Sequence, residues 1–334
     1  MIIDTHTHAV PELFISYVEK NPGCFAGSTV TLDDKQKRML SFEGKRPLEL
    51  FEGLYNVKKR LSDMDARRID VDWISVPPFV LYYGLPPAEG LQASMLLNDG
   101  LAQMASEAPD RFRVLANVPM QDVDAACKEL ERVVSKYGFI GVQLGTSVEG
   151  KYYDEPEFLP FFQLCEKLNL VILFHPSNLN LKGPVSPLQK YYLTNYIGNP
   201  LETTICLARM AFGGVMMKCP KLKLIFVHGG GYVPYQRMRF EHGHSRRQEG
   251  RVVIGDAPLA PFFDQVYYDI ITHGDDSLRF LISSHGSKKI VLGSDYPFDM
   301  AEDHPVERVE GIGLSSQEQD DILFKTAQRL LEVR

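Results

Sequence analysis

Several features common in other protein classes are scarce in this chain, and each scarcity removes a class of function. No stretch of its 334 residues approaches about eighteen consecutive apolar positions, so no membrane-spanning helix is expected. The five cysteines, Cys24, Cys127, Cys165, Cys206 and Cys219, are scattered, odd in number and never spaced Cys-x-x-Cys. That argues against a disulfide framework and for reduced thiols, mostly core filler, in a cytoplasmic protein. No long basic run occurs, and 36 basic against 43 acidic residues leave a net charge of −7. Nucleic acid is therefore not an expected partner, because phosphate binding needs a positive patch. The N-terminus enters an apolar run directly, without the basic segment and apolar core of a secretory signal. Low-complexity tracts, internal repeats and linkers are also missing.

What is present is an ordinary globular composition, 44 % apolar and 24 % charged, arranged as a regular alternation. Eight strand-like runs are separated by helical patterns: 2–8, 71–76, 113–118, 139–144, 170–175, 222–228, 266–271 and 290–295. Near-continuous Val/Ile/Leu runs are what strands covered on both faces look like. Helices are expected over 91–108, 123–137, 157–168, 200–218 and 315–332. Eight βα units in one chain of this length predict a single α/β domain over 1–334, a TIM-type (β/α)8 barrel. Residues 9–60 lack clear periodicity and hold Pro11, Pro22, Gly23, Gly27, Gly44 and Pro47. They read as an insertion after the first strand, lying over the active-site face, with short helical pieces near 48–60.

The ends of the runs carry the chemistry. The first run ends in His6-Thr7-His8, and residues two apart in a strand share a face. The fifth ends in His175, the sixth in His228 and the eighth in Asp295. All C-terminal strand ends of a parallel barrel meet on one face, so these residues are expected to converge. Imidazoles and a carboxylate are a suitable donor set for one Zn2+ or Mn2+ ion. Gly229–Gly231 lacks the Lys-Ser/Thr of a phosphate loop and reads as close backbone approach to the site.

Asp4-Thr5-His6-Thr7-His8, Phe174-His175-Pro176, Val227-His228-Gly229-Gly230-Gly231 and Gly293-Ser294-Asp295-Tyr296-Pro297-Phe298 together resemble the amidohydrolase superfamily, and within it the decarboxylase branch. The resemblance runs from the first strand to the last. It implies His6, His8, His175 and Asp295 as metal ligands, and His228 as acid/base residue beside a metal-bound water, with Asp295 also able to accept a proton. Many relatives with two metals carry a carboxylated lysine at the end of strand four; here Gln143 stands in that run, so a single ion is expected, Zn2+ first and Mn2+ as the alternative. Arg46 and Arg239 resemble the family's substrate arginines, Arg239 being donated by a neighbouring subunit of a homodimer, with Arg237 as alternative. His273 and Phe298 are further candidate substrate contacts, and Trp73 either walls the site or fills core. The activity implied is non-oxidative decarboxylation of a carboxylated muconate-like or hydroxybenzoate-like acid without organic cofactor. The alternative is a metal-dependent hydrolase or hydratase acting on a C–C, amide or lactone bond of a ring-cleavage product.

Overall fold

The computed structural model describes residues 1–44, 46–177 and 187–332. The Pro/Asn/Gly-rich loop expected after His175 lies mostly outside them. Eight parallel strands follow one another around a single sheet: β1 Ile3–His8, β2 Val71–Ser75, β3 Phe112–Ala116, β4 Gly141–Gly145, β5 Val171–His175, β6 Lys223–Phe226, β7 Val266–Asp269 and β8 Ile290–Val291. The sheet closes on itself. Thr5 N–H donates to Leu292 O (2.9 Å), Asp295 N–H to His6 O (2.9 Å) and His8 N–H to Tyr296 O (2.8 Å). The fold is thus a (β/α)8 barrel. No described helix is long and apolar enough to cross a membrane.

Two apolar layers follow from strand alternation. Val71, Trp73, Val171, Leu173, Ile225 and Val227 point into the barrel, and Ala327 and Leu330 of the C-terminal helix close its floor. Trp73, entirely buried there, is core and not a wall of the site. The residues between them, such as Ile172, Phe174, Leu224 and Phe226, face outward under the helices. Continuing the inward set of β5 by two residues from Leu173 places His175 inside the rim.

β1 needs an extra device to do the same. Ile3 belongs to the inward layer, and strict alternation would turn positions 5 and 7 inward after it. The pairing with β2 slips between Asp4 and Thr7, three residues of β1 spanning two of β2. One extra residue of this kind reverses the faces beyond it, so His6 and His8 point in instead.

The 9–60 segment is more ordered than its sequence announces. It holds a helix, Glu12–Lys20, a three-stranded antiparallel sheet (Thr29–Leu32, Arg38–Ser41, Leu48–Glu49) and a short helical turn, Glu52–Tyr55, before helix Val57–Ala66. The expected helix 200–218 is broken in two, Asn199–Phe212 and Val215–Lys218. The break falls at Gly214, which adopts φ +77°, the left-handed region that glycine enters without penalty.

Candidate metal centre

At the C-terminal rim, four side chains from three separate parts of the chain meet. One donor atom each of His6, His8, His175 and Asp295 lies within 4.8 Å of the others, and all four residues are buried. His8 Nε2 is 2.9 Å and His6 Nε2 3.4 Å from Asp295 Oδ1, with the two Nε2 atoms 3.2 Å apart. His175 Nε2 is 3.8 Å from the same oxygen. His228 approaches from the other side, its Nε2 3.6 Å from Asp295 Oδ2. Both His228 (φ 54°) and Asp295 (φ 64°) sit in left-handed backbone just past their strands. That conformation costs free energy for a non-glycine residue and is concentrated at functional sites.

The far side of each ring fixes which nitrogen faces the centre. His6 Nδ1 lies 2.9 Å from Asp269 Oδ2, His175 Nδ1 2.8 Å from Pro176 O, and His8 Nδ1 3.3 Å from Val76 O. With the proton on Nδ1 donated to that oxygen, the tautomer a bound cation requires, each Nε2 presents a lone pair inward. His175 Nε2 is buried with no hydrogen-bond partner among the described residues. A buried polar atom left open in this way costs free energy unless something fills the position.

Electrostatics agree with a cation site. Burial holds the pKa of His6, His8 and His175 below the ordinary imidazole value, that of His175 at about 4. Asp295 remains a carboxylate; burial acts to raise its pKa, but close contact with His175, His228 and His8 outweighs this and holds it well below the usual range. Three neutral imidazoles and one anion are donors in the form a divalent cation binds. The residues present therefore fit such an ion.

The other expected residues fall into two groups. A cavity of about 670 Å³ opens onto His228 and Asp295, and His273 is on its wall. Phe298 is half-buried with its ring 5.4 Å from that of His8. Arg46 and Arg239 are exposed and lie outside the cavity lining of this chain. Arg237 is committed elsewhere, to Glu241 (2.9 Å) and Asp264 (2.7 Å). Gln143 is occupied by Ser75, whose Oγ donates to Oε1 (2.6 Å), and by Val76 O, which accepts from Nε2 (2.6 Å). Asp269 was not among the sequence candidates, although it ends β7 as Asp295 follows β8, and the same strand-end rule points to it. Arg60 was also missed: it is wholly buried and donates to the carbonyls of His8 (2.6 Å) and Gly53 (3.1 Å). No motif marks it.

The amidohydrolase family model matches residues 3–333. The chain belongs to the amidohydrolase family. Among similar proteins, this amidohydrolase is 33 % identical over 312 residues to a 2-amino-3-carboxymuconate-6-semialdehyde decarboxylase of Dictyostelium discoideum, covering 93 % of this chain and 85 % of that one. A solved structure of 2,6-dihydroxybenzoate decarboxylase complexed with 2,6-dihydroxybenzoate superposes with a TM-score of 0.77 at 25 % identity, over 83 % of this chain and 89 % of that one. The dihydroxybenzoic acid decarboxylase of Polaromonas sp., solved with bound manganese and the inhibitor 2-nitroresorcinol, shares the fold at a TM-score of 0.79. It is 23 % identical, over 99 % of this chain and 96 % of that one.

Proposed function

We propose that this amidohydrolase is a divalent-metal-dependent carboxy-lyase that removes CO2 from a hydroxybenzoate-like or carboxymuconate-like acid. The observation that carries the reading is the convergence of three imidazole Nε2 atoms and one carboxylate beside a cavity, with His175 Nε2 left open. His6, His8, His175 and Asp295 would hold one ion, Zn2+ in our reading, with Mn2+ served by the same donors. The names of the relatives support the reaction class.

When bound, the cation supplies Lewis-acid stabilisation of the substrate oxygen that gathers electron density as the carboxylate leaves. His228 supplies the proton. It lines the cavity, and in the metal-free protein burial works against its charge while close contact with Asp295, and the charges of Asp295 and Asp269, outweigh burial and raise its pKa. As the bond between carbon and carboxylate breaks, its electron pair stays on carbon and takes the proton from the His228 imidazolium. Solvent then returns a proton to the ring, so each turnover consumes one proton and releases one CO2.

The cavity wall suits a flat acid. Tyr196, Tyr232, Tyr235 and Phe280 supply aromatic surface, and no lysine or arginine among the described residues lines it. A substrate with a second carboxylate therefore calls for a cation from outside this lining. We read Arg239 as that cation, presented by a second copy in a cytoplasmic homodimer, and Arg46 as a contact from the 9–60 insertion. The insertion covers the same face in this reading: Phe51 packs with its ring 6.2 Å from that of Phe298.

The test is mass spectrometry of metal-loaded protein incubated with hydroxybenzoates, carboxymuconates and ring-cleavage acids. A product lighter by CO2 is expected; one gaining or split by water would move the protein to the hydratase or hydrolase class. His175→Ala and Asp295→Ala should lose the metal, whereas His228→Ala should keep it and slow turnover about 10²- to 10⁴-fold. Full metal occupancy in both ligand variants would refute the ligand set.

A further inference from the structure

Asp269 sits behind the centre, against the His6 ring and the backbone that follows His228. It ends β7, is fully buried, and divides its two oxygens between different neighbours. Oδ2 lies 2.9 Å from His6 Nδ1, while Oδ1 accepts the N–H of Gly229 (2.8 Å) and of Ile271 (3.2 Å). Gly229 directly follows His228, whose left-handed backbone brings its ring to Asp295. Space for this arrangement is left by Gly293: a Cβ there would stand 2.8 Å from Asp269 Cβ and 2.9 Å from His6 Cβ. We infer that Asp269 is a positioning residue which sets the tautomer of the His6 ligand and, through the Gly229 N–H, the placement of the His228 acid/base group. The proposal rests on the metal-centre reading above, and deepens it by making one carboxylate answerable for both the ligand and the proton donor.

The inference turns on acceptor count. A carboxylate offers an acceptor on both sides, as His6 Nδ1–H and the two backbone N–H groups require. Asparagine has nearly the same shape but only one acceptor oxygen. If its NH2 faces His6, the imidazole proton must move to Nε2, where the ligand lone pair is needed. If it turns over, the NH2 meets the N–H groups of Gly229 and Ile271. Neither orientation both satisfies the backbone N–H groups and leaves the Nε2 lone pair of His6 free for a cation.

The experiment compares the parent protein with Asp269→Asn by Mn2+ competition against a chromophoric chelator. ¹⁵N-histidine NMR of the metal-free proteins accompanies it, with His6 assigned through His6→Asn. The expected result is a loss of Mn2+ affinity of about 10- to 100-fold in D269N. In the metal-free parent His6 should carry its proton on Nδ1, and that N–H signal should vanish in D269N while circular dichroism is unchanged. An Mn2+ affinity within about twofold of the parent, well short of the loss expected for such a partner, overturns the proposal. So does a metal-free parent with the His6 proton on Nε2, a result that stands even where D269N does not fold. A parent that binds neither Mn2+ nor Zn2+ sinks the metal-centre reading itself, and the proposal with it.

Discussion

Replacing Arg60 with methionine should be among the most damaging single changes away from the cavity. Arg60 lies on helix Val57–Ala66 with no exposed surface, and its Nε is 2.9 Å from Asp72 Oδ2. Its Nη1 donates to the carbonyls of His8 and Gly53, its Nη2 to Thr7 Oγ1, and its guanidinium lies 5.0 Å from the centre of the Tyr296 ring. Asp72 is equally buried, and its other oxygen has no hydrogen-bond partner among the described residues. Arg60→Met therefore strands a buried negative charge, and removing one partner of such a pair costs about 3–5 kcal/mol. The orphaned carbonyls add to this, since each unmade hydrogen bond to a buried group costs about 1–3 kcal/mol before relaxation. Against a total stability of about 5–15 kcal/mol, the loss is large. In urea unfolding of the metal-free protein, the midpoint should fall steeply. Because Arg60 also braces the backbone of His8, Mn2+ affinity should fall with it. The double variant Arg60→Met/Asp72→Leu removes the stranded charge and should recover at least about half of the loss, as replacement of both partners by apolar groups is often near neutral. A single variant within about 1 kcal/mol of the parent, or a double variant no more stable than the single, would refute the reasoning.

Three further outcomes are expected. Because the pKa values of His6, His8 and His175 are lowered in the fold, the unfolded chain binds protons near pH 6.5 that the folded one refuses. Metal-free stability should fall as pH drops from about 6.5 towards 4, by up to about 3 kcal/mol from His175 alone. His228, shifted up, and Asp4, whose carboxyl burial raises to about 6, contribute in the opposite sense, each favouring the folded state more at lower pH; the three lowered imidazoles are expected to outweigh these two groups. A urea midpoint at pH 5 equal to or above that at pH 7 would contradict this balance. Gly293→Ala forces a methyl group against Asp269 and His6 and should cost about 1–3 kcal/mol with weakened Mn2+ binding; unchanged affinity would show that the two side chains move aside freely. Arg239→Ala should lower kcat/KM at least about tenfold with metal content intact. Arg237→Ala, which breaks only partly exposed ion pairs, should change stability by about 1 kcal/mol or less and leave turnover alone.

The barrel was legible because its strands are covered on both sides, which leaves apolar runs such as Val171–Phe174 uninterrupted. The strand-end rule then placed His6, His8, His175, His228 and Asp295 at one rim. What the sequence did not announce has physical causes. The bulge in β1 is invisible to periodicity, since His6 and His8 keep their spacing of two whichever way they face. Helix Glu12–Lys20 follows Pro11 without a side-chain cap, and the small sheet of the insertion uses strands of two to four residues, too short for a pattern to register. His244, on helix Val233–Arg246, is buried with its Nε2 3.0 Å from Gly255 O, because the segment after that helix folds back over it, which no local pattern shows. Arg60 sits within a run of charged residues that pattern alone assigns to a surface. Only tertiary pairing with Asp72 brings it inside.

The closure of the barrel gives the metal centre a temporal meaning. His6 and His8 lie on one side of the seam and Asp295 on the other, at nearly opposite ends of the chain. A chain with seven strands assembled holds three imidazoles in place and lacks the carboxylate that completes the set. Tight capture of a cation thus waits for the last strand to dock, and a captured cation acts as a clasp across that joint, adding binding free energy to the contacts with the greatest sequence separation. Exchange of the Thr5, His8 and Asp295 amides then becomes a gauge of how firmly the ring is shut.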